Sequence, residues 1–144
     1  MPHSMEYIAH ENGLIIIWSG MVKGEEVIQS YEARFSSTER LAKLRYVITD
    51  YSKALDFDMT PDQIKTIARI ANKAALTNRK LFAVAVMPTD ISFGMARMFQ
   101  AYAGDDTTGW HTFVTRNRRD GEVWLRQHLT ADLTFANPAA SSPS

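Results

Sequence analysis

KLFAVAVMPTDISFGMARMFQAY, Lys80–Tyr102, reads as a buried strand, a Pro-Thr-Asp turn and an unusually apolar helix. Leu81–Met87 is a continuous apolar run of the kind carried by a strand covered on both faces. Pro88 has no amide to give to a ladder, so the strand ends there. Thr89 or Asp90 then caps a helix, because a short side-chain oxygen can accept from the unpaired first-turn amides. Ile91, Met95, Met98, Phe99 and Tyr102 recur at helical spacing and predict one inward face. Phe93 lies off that face, on a flank with Arg97 and Gln100. An aromatic left in water there forgoes about 1.5–3 kcal/mol of burial, so it calls for a cover.

Upstream, Asp50-Tyr51-Ser52 ends a strand read from RYVITD, Arg45–Asp50. Lys53–Met59 reads as a loop bearing Asp56 and Asp58. Thr60-Pro61-Asp62-Gln63 is a capping box with Pro at the first helical position, opening a helix to about Thr77. Its stripe of Ile64, Ile67, Ala68, Ala71, Ala74 and Ala75 is narrow and mostly small, which permits close packing on a sheet. Nearer the N-terminus, Asn12-Gly13 separates a weakly alternating run from the strand Leu14–Trp18 and predicts a hairpin. Ser19-Gly20 breaks that strand. Val27, Ile28, Tyr31 and Phe35 predict a helix from Gly24, with Glu25 and Glu26 at its positive end. Leu41 and Leu44 add a further apolar turn.

Downstream, Gly104–Gly109 is a polar turn, Trp110–Thr115 a last strand and Asp120–His128 a last helix. Past Thr130 the chain turns to NPAASSPS, too poor in apolar residues to order itself. The division is therefore a domain over 1–130 and a Pro/Ser/Ala-rich tail over 131–144. The order β-β-α-β-α-β-α-β-α predicts an α/β fold, with a mixed, mostly parallel five-stranded sheet and covering helices.

Sixteen basic and sixteen acidic residues leave no net field for nucleic acid or an anionic membrane. The chain has no cysteine, which excludes disulfides and thiol chemistry. The start shows neither the basic nor the apolar segment of a signal peptide, and no apolar run approaches the ~20 residues of a membrane helix. A cytoplasmic protein is the expectation.

The residues resemble the bacterial SpoIIAA-like proteins, relatives of the STAS domain sometimes grouped with CRAL-TRIO lipid-transfer domains. The resemblance covers about Glu6 to Leu129. It rests on Asn12-Gly13-Leu14, on Arg45–Asp50 and on Phe93-Gly94-Met95-Ala96-Arg97-Met98-Phe99, the most specific of the segments. Gly121-Glu122-Val123-Trp124-Leu125 closes it. It implies a STAS-like fold, a homodimer, and a role in binding apolar ligands or associating peripherally with membrane. The chain departs from the STAS antagonists at their phosphorylated serine. Here that turn is Asp50-Tyr51-Ser52-Lys53, and neither Ser52 nor Thr60 has the expected context. Thr60 is better explained as a cap.

Other constellations carry little chemistry. The histidines at 3, 10, 111 and 128 are not at ligand spacing, so no metal is expected. Asp56, Asp58 and Asp62 lack the Gly and distal Glu of a calcium loop. Arg116, Arg118 and Arg119 read as a solvated turn, without the aromatic interleaving of a nucleic-acid surface. No nucleophile–base pair assembles, so neither an enzyme nor a cofactor is expected. The expected ligand site is Phe93, Met95, Arg97, Met98, Asp50 and Phe57, holding an apolar or lipid-like small molecule between the 91–99 helix and the 53–60 loop. The alternative is a regulatory interaction module whose Phe93 is covered by a second copy. A bilayer surface is the third cover.

Overall fold

The structure, a computed structural model, describes residues 3–103, 110–129 and 133–135. Its sheet holds five strands in the order β1-β2-β3-β4-β5. β1 (His3–Ile8) is antiparallel to β2 (Gly13–Lys23). β3 (Tyr46–Asp58), β4 (Phe82–Val86) and β5 (His111–Thr115) then add in parallel. The helices are α1 (Gly24–Arg34), α2 (Thr38–Lys43), α3 (Pro61–Thr77), α4 (Asp90–Ala103) and α5 (Arg118–Leu129). The expected order of strands and helices holds, with α2 as the added apolar turn.

Each parallel strand lies beside its predecessor, and α1, α3 and α4 pack on one face of the sheet, as successive crossovers of the same hand require. Leu14, Ile16 and Trp18 of β2 and Val47 and Tyr51 of β3 point to that side and pack with Val27, Ile67, Ala71 and Leu81. The alternate residues Ile15, Tyr46, Ile48, Val84 and Val86 point to the other side, where Leu125 of α5 meets them.

Local chemistry sets the element ends. Asn12 is left-handed, at φ 50°, and closes the hairpin after a short 3-10 turn over Ala9–Glu11. A side chain at Gly13 would collide with the Tyr46 ring, so the strand needs glycine there. Thr60 accepts from the Gln63 amide at 3.2 Å, while Gln63 accepts from the Thr60 amide at 2.9 Å. Thr89 caps α4, its hydroxyl oxygen taking the Ser92 amide at 3.1 Å.

Three expectations are corrected. First, Lys53–Asp58 is strand, not loop. β2 runs past Ser19-Gly20, and Ser19↔Lys53 through Lys23↔Asp58 extend the parallel pair beyond the rest of the sheet. Gly20, at φ 69°, absorbs a bulge where a break was expected.

Second, α4 is rotated relative to its apolar stripe. Ser92, Ala96 and Ala103 are buried, whereas Ile91, Met98 and Tyr102 are 68%, 36% and 38% exposed. Small residues face inward because α4 lies close against the small stripe of α3. Phe93 does not wait for a second chain: it packs on the core, with the Arg116 guanidinium 4.6 Å over its ring.

Third, part of the segment beyond Thr130 is docked. Leu133 and Phe135 are 1% and 2% exposed against Ile8, Ile15 and Tyr46. Glu11, itself buried, holds them. Its carboxylate accepts the Thr134 amide at 2.6 Å and hydroxyl at 2.8 Å, the Phe135 amide at 3.3 Å and the Tyr46 hydroxyl at 2.7 Å. Arg126 lies over the Phe135 ring and donates to the Leu133 carbonyl at 3.1 Å. Burial pushes the Glu11 carboxyl up, but hydrogen bonds from Thr134, Tyr46 and Phe135 outweigh it and hold the group below the ordinary glutamate value. The rest of the expected tail and the Gly104–Gly109 turn lie outside the described residues.

Candidate functional site

Between the sheet and helices α1, α3 and α4 lies a partly open cavity of about 100 Å³. Its floor is the inward side chains of β3, β4 and β5, among them Thr49, Ala85 and Val114. The small residues Ala83 and Ala85 on β4, with Ala96 on α4, leave the space unfilled. Phe57 and Met59 close it at the extended end of β3, and Tyr31, Ile64, Met95 and Phe99 close it from the helices. Its lining is nearly all carbon. Of the polar groups, Gln100 donates to the Thr112 hydroxyl at 3.3 Å.

Behind Thr49 and Tyr31, outside the lining itself, the surroundings become polar. Arg34, at the end of α1, is 3% exposed. It donates to the Thr49 hydroxyl at 3.2 Å and the Ser30 hydroxyl at 3.1 Å. Its guanidinium lies 3.9 Å from the Tyr31 ring centroid. Its Nε has no hydrogen-bond partner. Among the described residues no carboxylate pairs with it. Burial lowers the Arg34 pKa, and Tyr31 and Tyr51 oppose that shift; a guanidinium stays charged at neutral pH all the same.

Tyr51 is buried beside it and stacks at 6.0 Å on Trp18, which in turn stacks at 4.4 Å on His3. The Trp18 Nε1 and His3 Nδ1 atoms are likewise buried without partners. Burial, then the Arg34 charge, lowers the His3 pKa, which favours a neutral imidazole.

Of the expected site residues, Met95 and Phe57 line the cavity. Phe93, on the first turn of α4, packs under Arg116 and does not line it. Arg97 and Met98 point outward. Asp50 faces the opposite side of the sheet, where its carboxylate accepts the Ser52 amide and hydroxyl at 2.8 and 2.6 Å and meets Arg118 at 3.6 Å. The period-2 alternation of β3 separates it from the inward Thr49 and Tyr51. Arg118 also meets Glu122 at 3.0 Å, and Arg116 meets Asp90 at 2.9 Å, so these arginines tie helix ends together rather than forming a free basic patch. The reading of the sequence missed Tyr31, Arg34, Thr49, Tyr51, Met59 and Phe99. They come from α1, β3, the residue after it and α4; the helical stripes marked Tyr31 and Phe99 as apolar and the parity of β3 pairs Thr49 with Tyr51, but nothing local brought the three elements to one space.

No helix among the described residues is long and apolar enough to cross a membrane. No family model and no curated protein matches the chain. Among solved structures it is similar to the anti-sigma factor antagonist SpoIIAA in its unphosphorylated form, at a TM-score of 0.52 and 11% identity. The match covers 88% of this chain and 97% of that one. The five-stranded, mostly parallel sheet with its helices therefore has a SpoIIAA-like, STAS-like fold.

Proposed function

We propose that this protein is a non-catalytic, STAS-like binding module that takes a small apolar molecule into the cavity under α4. The observation behind the reading is a space of about 100 Å³ walled by aromatic, aliphatic and methionine side chains. Methionine adapts to variable apolar shapes, and Met59, Met87 and Met95 all border this space. A dry cavity of roughly 150 Å³ takes benzene; this smaller, partly open one suits a short branched alkyl group, or a single ring only partly seated in it, better than a lipid tail. A ligand of that size binds with a Kd of about 0.1–1 mM.

Titration with benzene or 3-methylbutanol, read at the methionine methyl resonances, tests it. Saturable shifts at Met59 and Met95 are expected. Ala85→Leu, which fills the space, is expected to abolish them. The absence of saturable shifts for both probes rejects the reading.

A second reading, a regulatory interaction module, draws on the outer stripe of α4. Ile91, Met98 and Tyr102 lie exposed on one helix face. Arg97 is the single cation on α4, so the helix lacks the basic flank that draws an amphipathic surface to anionic lipid. A second copy of this chain is the better cover. Sedimentation should then show a dimer that Ile91→Glu with Met98→Glu converts to monomer. A wild-type monomer at tens of micromolar rules this reading out.

A further inference from the structure

We propose that the ligand of this cavity is a small monocarboxylate, its apolar body under α4 and its anion received by Arg34. The inference rests on the cavity reading and adds the chemical class of the ligand. A guanidinium cannot shed its proton inside a protein, so burial without an anion leaves an uncompensated charge. Arg34 is in that position: 3% exposed, unpaired by any described carboxylate, and with its Nε unused.

Arg34 does not itself line the cavity but stands directly behind two residues that do. The hydroxyl it donates to belongs to Thr49, and the ring it rests on to Tyr31; both side chains line the space. Because Thr49 accepts from Arg34, its own hydroxyl proton is free to turn toward an incoming oxygen. A carboxylate there would gain a charge-assisted bond from the guanidinium and a hydroxyl bond from Thr49. One cation balances one negative charge. His3, the neighbouring titratable base, is held toward neutrality, so a dianion such as phosphate would stay half compensated.

The test compares 3-methylbutanoate and benzoate with their neutral amides, titrated into the whole chain at pH 7. The carboxylates are expected to bind about tenfold tighter than the amides, equivalent to about 1.4 kcal/mol. Arg34→Met should bring that ratio to about one while leaving amide affinity within about threefold. A merely structural arginine would instead lower stability and leave the ratio alone. A second measurement needs no variant. Carboxyl-¹³C benzoate bound beside a guanidinium titrates below its free pKa, and bound in carbon alone it titrates above. Amides that bind as well as carboxylates, or a raised bound pKa, overturn the proposal while the cavity reading stands. Failure of both acids and amides to bind removes the two together.

Discussion

Replacing Glu11 with alanine is expected to destabilise the protein by about 3–4 kcal/mol at pH 7, measured by urea unfolding. The carboxylate is buried, and its partners on Thr134, Phe135 and Tyr46 would be left as donors without acceptors. Each stranded buried donor costs about 1–3 kcal/mol, less where water enters the space vacated. Leu133 and Phe135 would lose their anchor, and amide exchange over 133–135 should rise first.

The same group sets a pH dependence. Its folded pKa is depressed, so its contribution is fully present above the ordinary value of 4.5 and is lost as pH falls through the folded value. Wild-type stability should therefore drop on acidification below about pH 4.5. Glu11→Gln, weaker at neutral pH, should show a flatter profile there. A Glu11→Ala protein as stable as wild type would show that the docked segment contributes nothing, and an unchanged acid profile in Glu11→Gln would show that the folded protein does not lower the Glu11 pKa.

Trp18→Ala carries the other large expected effect, a loss of about 3–5 kcal/mol. Trp18 is fully buried and stacked between His3 and Tyr51. Its removal opens a void where β2 begins its extension, takes the stacking partner from His3 and leaves Tyr51 with Phe57 alone of its two ring contacts. Trp18→Phe separates packing from hydrogen bonding. Because the indole Nε1 has no partner, phenylalanine sacrifices volume but no hydrogen bond. Its expected cost is roughly 1–2 kcal/mol by area burial. Equal losses in the two variants would show that an aromatic ring at position 18 contributes nothing through the stack.

Much of the architecture is legible in the residues because local chemistry and tertiary context agree. Thr60-Pro61-Asp62-Gln63 caps α3 as its side chains dictate, and Asn12 closes the hairpin in the left-handed conformation its type tolerates. The apolar stripe of α4 misled for a physical reason. Periodicity reveals that Ile91, Met98 and Tyr102 share a face, but not whether that face meets the core or something outside. The small residues Ser92 and Ala96 mark the inward side, and they score weakly as hydrophobic. The extension of β3 hid behind Lys53, Asp56 and Asp58, charges that an exposed pair of strands tolerates. Leu133 and Phe135 escaped notice because their acceptor, Glu11, stands 123 residues from Thr134. The cavity escaped because its wall combines a few side chains from each of three helices and three strands, and an unfilled space has no signature in any one of them.

The sheet places its strands side by side in the order in which they leave the ribosome. Each new strand finds its neighbour already formed, and every crossover closes a short loop, at modest entropic cost for a parallel topology. The Glu11–Thr134 contact is the exception, joining the two ends of the described chain. Assembly can thus proceed from the amino end without waiting, and the clasp at Glu11 shuts last. Weakening it should hasten unfolding while leaving the folding rate nearly unchanged.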